Sequence, residues 1–516
     1  MRGQLNFDRS WGNLHEFSAL AALEATDNRY EGNSIHLYGY DAATATNAVV
    51  DFLSPLPRYY GGSQRLQNSN HQSWTHDRFR SYIVNASYTF GRRYTLYGSA
   101  RRDESNLFGV ATNQKGVPLW SLGAAWNVHD EKFLDVNWVD QLKLRFSYGV
   151  QGNVDRSVSA LLTARYESFI NSYGLPVATV QNPPNPSLRW EKVKAYNAGL
   201  DFELWNGTIA GQIDIYRKVG TDLIANSPIA AQTGVVEFRG NTADILTRGV
   251  DLSLQIRPLK HALSWNASFL YNYTADKVTD YKVEQSNNLS YMRNNYLNPF
   301  EGKPQSALFS FPYAGLDAEG NPLGYVNGEI SEDYTAIATS RGLENMIYHG
   351  PRTPRYFGGL RNDFSYRIFF LSFNITYRFD YYFRRQSLNN NNLYSSTFSH
   401  RGVADYDTRW KMSGDENTTN VPALIYPAVS NRTNFYIYSD VLVEKADHIR
   451  LQDIQFGVNV DRSTWANNPF NTLTISAYLN NLAILWRANS HRIDPDVFQS
   501  SYPVPRTYAL SIAATF

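Results

Sequence analysis

The sequence predicts an all-β protein, a transmembrane antiparallel β-barrel, and three observations carry that prediction. Runs of alternating apolar and polar residues recur from one end of the chain to the other. The connections between them are alternately short and long. Aromatics make up 15% of the 516 residues, with 36 Tyr, 28 Phe and 11 Trp against only 4 Met. Tyr and Trp favour positions that are apolar at one end and wet at the other, and core packing alone does not call for so much Tyr.

The alternation is clearest in a few segments. "LKLRFSYGV" puts Leu142, Leu144, Phe146, Tyr148 and Val150 on one face and Lys143, Arg145, Ser147 and Gly149 on the other. "YNAGLDFEL" sets Tyr196, Ala198, Leu200, Phe202 and Leu204 against Asn197, Gly199, Asp201 and Glu203. "LSFNITYRFDY" opposes Leu371, Phe373, Ile375, Tyr377, Phe379 and Tyr381 to Ser372, Asn374, Thr376, Arg378 and Asp380. The same period recurs at 2–11, 14–24, 78–90, 93–103, 118–128, 209–219, 247–257, 262–274, 354–367, 447–461 and 472–486. With the closing run "YALSIAATF" these make about fifteen strands, each long enough to cross a bilayer at a tilt. The phase slips by one residue near Gln452 and Asp453, which reads as a β-bulge. The only helical expectation is a short turn around Glu131–Trp138.

Short connections fall at "WGNL", "FGRR", "NVHDEKFLDVNW", "LWNGT", "RPLKH", "SYRI" and "DRSTWANNPFN". Long ones span 25–77, 104–117, 152–190, 220–246, 275–353, 382–446 and 487–503. Strict alternation of this kind belongs to barrels with short periplasmic turns and long extracellular loops, and it places the carboxyl terminus on the periplasmic side. A closed barrel has no free edge, so the last strand is expected to pair with the first and can stay regular to its end.

Composition removes several other classes. A net charge of +1 gives no basic field for nucleic acid, so no nucleic-acid partner is expected. With no cysteine, disulfides, thiolate metal sites and thiol nucleophiles are excluded. There is no run of about 18 apolar residues to form a spanning helix, and "MRGQLNFDRSWG" lacks the apolar core of a signal peptide. A mean hydropathy of −0.43 looks soluble, but polar lumen residues cancel lipid-facing ones in such averages. The competing fold is a soluble β-rich glycan-binding or adhesion protein. Such proteins show turn signals about every 8–12 residues and buried faces rich in Val, Ile and Leu. Here the apolar faces turn Tyr- and Phe-rich toward the strand ends, and loops of about sixty to eighty residues are rare in compact domains.

Several stretches go beyond pattern. "GSARRDESNLFGVATNQKGVPLWSLGAAWNVHDEKF" (98–133) and "LKLRFSYGVQGN" (142–153) resemble SusC/RagA-type TonB-dependent outer-membrane transporters. So do "NPSLRWEKVKAYNAGLDFELWNG" (185–207), "ILTRGVDLSLQI" (245–256), "HIRLQDIQFGVNV" (448–460) and "LNNLAILWRANSHRIDPDV" (479–497), in order and spacing. The resemblance implies active import of oligosaccharides or peptides across the outer membrane of a Gram-negative, Bacteroidetes-type cell. It implies a SusD-like surface lipoprotein, the TonB complex acting through an N-terminal part, and outer-membrane lipid as partners. It also implies an assembly signal in Tyr508, Leu510, Ile512 and Phe516. Such transporters have about 22 strands. The chain 1–516 therefore reads as the C-terminal part of the barrel, with signal peptide, N-terminal extension, TonB box and plug domain not in view. A fragment without transport activity is the remaining alternative.

No catalytic constellation stands out, so no enzyme, no metal and no cofactor are expected. The ten His have no HExxH or other ligand spacing, and no nucleophile elbow or P-loop occurs. "DAEGNPLG" (317–324) is faintly like a calcium loop in Asp317, Glu319 and Asn321, but it reads better as a solvated turn. Asp201 and Glu203 read as hydrated wall residues. Trp190 and Glu191, in "NPSLRWEK", read as the start of a strand. Tyr59, Tyr60, Trp74, Tyr394 and Trp410 lie in long loops and are the substrate-contact candidates, suited to stacking on sugars or packing on peptide side chains, with loop self-packing the plainer role.

The closing residues give a first test. Deleting Phe516 should lower the folded, heat-modifiable fraction in outer membranes while synthesis stays unchanged. Normal assembly of the deletion would show the terminal Phe to be incidental.

Overall fold

The computed structural model describes residues 1–516 except 13, 60, 107–115, 154, 156–157, 171–174, 229–236, 261, 284–285, 295–297, 394–404, 463, 466–468, 499–501 and 516. Its main feature is one 15-stranded antiparallel sheet whose spatial order follows the chain. The first strands are β1 (Arg2–Trp11), β2 (His15–Ser34), β3 (His71–Phe90), β4 (Tyr94–Ser105) and β5 (Gly116–Asn127). Then come β6 (Val139–Asn153), β7 (Glu191–Leu204), β8 (Ile209–Pro228), β9 (Glu237–Lys260) and β10 (Leu263–Tyr281). The last five are β11 (Tyr356–Tyr366), β12 (Phe369–Phe379), β13 (His448–Asp461), β14 (Thr472–Arg487) and β15 (Thr507–Thr515). Every segment expected from alternation is one of these strands.

Register confirms the two faces. Tyr148, Tyr196 and Arg217 are directly opposed across β6, β7 and β8, as are Ser147, Asn197 and Tyr216. The outward set stays open to its surroundings: Leu96, Leu122, Phe146 and Ile215 are each more than half exposed. A soluble sandwich would bury them against a second sheet; here they are the lipid-facing wall. Aromatics ring that wall at two levels. Trp138 stacks on Trp205 at 5.7 Å on the short-turn side, while Tyr148–Tyr196 (4.5 Å) and Tyr273–Tyr356 (5.0 Å) lie nearer the long loops. In "WNGT" Trp205 and Asn206 both take φ 54°, and Gly207 follows at φ 66°. Three left-handed residues in succession turn the chain between β7 and β8, and a Cβ on Gly207 would lie 2.5 Å from Glu203 Oε1. The bulge is at Gln452, which is skipped in the pairing of β13 with both β12 and β14.

Three expectations are corrected. First, β15 does not pair with β1; the sheet order runs from β1 to β15 and stops. Strands of odd number run the same way in an antiparallel meander, so the first and fifteenth cannot close antiparallel. Second, the helical turn is a 3-10 turn at Val128–Asp130, just before Glu131. Third, several long connections are shorter as loops than the sequence suggests, because β2, β3, β8, β9 and β10 run on past the wall. The segment 152–190 holds a hairpin of its own, Thr163–Ile170 with Pro176–Asn182.

Phe146, outward on β6, is 57% exposed, and Ser147 faces inward. Phe146→Arg should cost about 2–4 kcal/mol at the bilayer midplane, whereas Ser147→Lys should be tolerated. The check is the folded fraction recovered after guanidinium titration in phospholipid vesicles. Equal costs on the two faces would contradict a lipid-facing wall.

Candidate functional site: the charged lumen and its loop assembly

The inward face carries ionic chains that cross strand boundaries. Arg145 on β6 reaches over Gly199 to Asp201 on β7, with Nε and Nη2 each 2.8 Å from a carboxylate oxygen. The same Nη2 lies 3.2 Å from both oxygens of Asp214 on β8. Gly199 makes this crossing fit, since a Cβ there would sit 2.6 Å from the guanidinium. Asp214 also accepts from Asn197 Nδ2 at 3.0 Å and from Gln212. The wall is polar because it is wet, and Asp201 and Asp214 share Arg145 because a half-buried carboxylate without a partner is costly.

A second chain ties β12, β13 and β14 to the last long connection. Arg450 donates to Asn481 Oδ1 at 2.6 Å, to Asp494 Oδ1 at 2.5 Å and to Asp496 Oδ2 at 3.2 Å. Asp496 is also held by Arg378, and His448 Nε2 lies 3.6 Å away. The stretch "SHRIDPDV" is thus an anchor that holds the first part of the last long connection against the barrel rim.

The described parts of the loops 275–353 and 382–446 form a folded unit around a conventional hydrophobic core. Tyr291, Met292, Phe300, Phe309, Phe311 and Ile337 from the first loop pack with Phe435 from the second. Leu388, Val421, Tyr436 and Leu442 form an adjoining cluster with Tyr313. Backbone bonds join the loops: Phe311 N–H donates to Tyr438 O and Asp440 N–H to Phe311 O, both at 3.0 Å. Asp440 Oδ1 accepts from Tyr313 N–H at 3.1 Å. The third connection joins through Phe383 and Phe498, with ring centroids 5.2 Å apart, and through His491 and Glu444 at 2.5 Å.

Cations are buried inside this unit. Arg384 donates to the carbonyls of Phe309 and Met292 and lies over the Tyr438 ring at 4.9 Å. Burial, and then the neighbouring Arg352, press its pKa below the ordinary guanidinium range. Ser310 Oγ and His349 Nε2 lie 2.5 Å apart between paired strands Ala307–Ser310 and Ile347–Pro351. Burial, followed by the charge of Arg384, pushes the imidazole down to about 4, so it is neutral in the folded protein at neutral pH.

The sequence-nominated aromatics do not share one surface. Tyr59 is 94% exposed beside the small Leu56–Pro57 and Ser63–Gln64 pair. Trp74 is on the extension of β3, on the same side as the outward Tyr82 and Val84, with its ring 5.7 Å from His76. Trp410 is half-buried: its Nε1 donates to Glu416 at 3.1 Å, and its ring lies where a Cβ on Gly320 would be, 2.5 Å away. Gly320 sits at φ 77°, so both its conformation and its bare Cα are used. Tyr60, Tyr394 and Phe516 lie outside the described residues. Tyr508, Leu510 and Ile512 are exposed on the outward face of β15. Glu191 begins β7, and Trp190 is buried with Val158, Ala160 and Leu188. In "DAEGNPLG" Asp317 Oδ1 accepts from the N–H groups of Glu319 (2.9 Å) and Asn321 (2.6 Å), and Oδ2 accepts from Asn321 Nδ2 (3.0 Å). Those oxygens close the turn itself. What sequence reasoning missed is the loop core, whose signal was only a density of aromatics without periodicity.

Comparison with known proteins adds the following. Residues 2–298 match the family model described as TonB dependent receptor-like, beta-barrel. The TonB-dependent receptor P39 of Formosa agariphila is 25% identical over 524 aligned residues, covering 92% of this chain and 48% of that protein. The TonB-dependent receptor SusC of Bacteroides thetaiotaomicron is 24% identical, covering 84% of this chain and 43% of SusC. The chain thus spans about half the length of these relatives. The solved RagAB peptide importer in its closed-closed state superposes with a TM-score of 0.74 at 19% identity, over 100% of this chain and 55% of that one. That likeness concerns the fold.

His349 supplies a pH test. Its folded pKa lies below the free value, so the loop unit is at full stability above about pH 6.5 and loses it as the pH falls toward about 4. The loss should be on the order of 1–2 kcal/mol by pH 5. It should appear as faster amide exchange, corrected for intrinsic rates, in 307–310 and 347–351, and His349→Gln should flatten it. Equal exchange at pH 7 and 5 would contradict a buried neutral imidazole.

Proposed function

The chain belongs to the TonB dependent receptor-like β-barrel family, and from that premise we propose that it forms the wall of an active outer-membrane importer of oligosaccharides or peptides. The observation that carries this reading is the pairing of a charged, wet inner face with a folded loop unit at the extracellular end. A hydrated wall lets a polar cargo pass without stripping its water. The loop unit offers a shaped surface where cargo is held first. Arg145 is shared between Asp201 and Asp214, an arrangement that serves a hydrated wall, and the reading is transport without chemistry on the cargo.

In this proposal the TonB complex supplies energy through an N-terminal part, and a SusD-like surface lipoprotein covers the loop side. The two free edges of the sheet need partners in hydrocarbon, where unpaired backbone groups cost several kcal/mol each. Residues 1–516 are accordingly read as the C-terminal part of a barrel of about 22 strands. Tyr508, Leu510, Ile512 and Phe516 are read as its assembly signal. Tyr59, Tyr60, Trp74, Tyr394 and Trp410 stay as cargo-contact candidates, with Trp410 the one whose packing most limits that role. Oligosaccharides stand ahead of peptides only on the family resemblance.

The test is growth on a defined oligosaccharide or peptide as sole nutrient, in cells where this gene is the only route for it. Growth should stop when TonB or the adjacent surface lipoprotein is deleted, while cargo binding to whole cells falls less. Growth indifferent to TonB, or adhesion without uptake, would favour the binding-protein alternative.

A further inference from the structure

The outward wall of β6–β10 carries a cationic cluster with no ion-pair partner among the described residues. One row across the sheet reads Tyr148, Tyr196, Arg217, Arg248 and Ala275. The next row toward the long loops reads Val150, Lys194, Val219, Leu246 and Lys277. Lys194, Arg217, Arg248 and Lys277 are all exposed. From the row of Leu142 to the row of Lys277 the outward positions of β6–β10 hold no Asp or Glu, and the first acidic position beyond them is Asp244, two residues past Leu246, which accepts from Asp222 N–H. The nearby carboxylates Asp201 and Asp214 face inward, where Arg145 takes them.

This arrangement differs from that of Arg78 and Arg102 on the same wall. Arg78 has Asp27 at 3.1 Å, and Arg102 has Glu104 at 3.1 Å. Arg217 and Arg248 instead stand directly opposite each other on neighbouring strands, where like charges repel. Lipid-facing cations are least unfavourable at the interface and worst at mid-membrane, and these four lie at the aromatic level marked by Tyr148 and Tyr196. Directly below, a groove of about 1050 Å³ is walled by Leu96, Leu122, Phe146 and Ile215, with Arg217 and Arg248 also lining it. Small outward residues, Ala124 and Ala198, leave that space open.

We propose that this is a binding site for a phosphorylated glycolipid of the outer leaflet. Its phosphates lie on Arg217, Arg248, Lys194 and Lys277, and an acyl chain lies in the groove beneath. Guanidinium groups match phosphate oxygens in two-point geometry, and an anion between Arg217 and Arg248 turns their repulsion into attraction. The four cations spread over four strands, about 14 Å at an inter-strand spacing of about 4.8 Å. That width suits a headgroup with two phosphates set apart on a disaccharide better than a single phosphodiester. The site is at the end opposite the short turns, which selects the outer leaflet.

The test uses protein extracted from the outer membranes of cells that make it. Lipid retained through detergent exchange is read by native mass spectrometry, then rebinding is measured with lipid A, its dephosphorylated form and phosphatidylglycerol. Wild type should keep one bisphosphorylated lipid per barrel and rebind lipid A at least about tenfold more tightly than the other two, a preference of about 1.4 kcal/mol. R217Q/R248Q/K194Q/K277Q should lose that preference. R217K/R248K should keep most of it, and R78Q/R102Q, which removes paired cations, should keep all of it. Retention unchanged in the quadruple variant would overturn the proposal. So would phosphatidylglycerol binding equal to lipid A. Both readouts are independent of cargo uptake, so they stand or fall apart from the transport reading.

Discussion

Backbone polar groups in hydrocarbon must find partners within the protein, and most of this structure follows from that one constraint. An extended chain meets it by pairing each strand with its neighbours, and β1 to β15 do so in unbroken sequence order. Pairing fixes register, and register fixes which side chains meet lipid and which meet water. Arg145 can reach Asp201 and Asp214 because three strands hold their inward residues level. Arg217 and Arg248 are forced to face each other by the same ladder. Short turns are the cheapest way to reverse a strand on one side, which leaves the other side for the long connections.

That constraint also explains how much of the fold was legible. A lipid-facing strand alternates with period two whatever else it does, so all fifteen strands could be located, and the slip at Gln452 was visible as a change of phase. Strand ends were less legible. Once β8 and β9 leave the wall they pair in water, where either face can be polar, and the alternation that marked them disappears. The turn around Val128–Asp130 was misplaced by a few residues because one 3-10 turn has no periodic signature. Closure failed as an expectation for a reason of parity, which was already implicit in the count of strands.

The candidate site was legible in kind but not in detail. Charged residues on the inward faces pointed to a wet wall, and the wall is ionic. Nothing local could tell that Arg450 would find Asp494 and Asp496, since the partners lie 44 and 46 residues apart in the chain. The loop aromatics were chosen by residue type, and type does not separate a ring that meets cargo from one that fills a core. Trp410 shows the difficulty: an aromatic in a long loop, next to a glycine only in three dimensions, becomes a packing residue. Phe309, Phe311 and Phe435 were equally available as candidates and are almost wholly buried.

The molecule is therefore built with two opposite arrangements of apolar surface. In the wall, Leu96, Leu122, Phe146 and Ile215 point outward while Arg145, Asp201 and Asp214 point in. In the loop unit, Tyr291, Phe309, Phe311 and Phe435 point inward and the polar residues point out. Each obeys the solvent it meets, lipid for the first and water for the second. The mean hydropathy of −0.43 averages over both and describes neither. The boundary between the two regimes runs through the aromatic level of Tyr148, Tyr196, Tyr273 and Tyr356, where side chains with an apolar body and a polar tip suit both solvents. A cation placed there without a carboxylate has only the membrane surface to answer it, which is why the row of Arg217 and Arg248 carries information that the same residues in a loop would not.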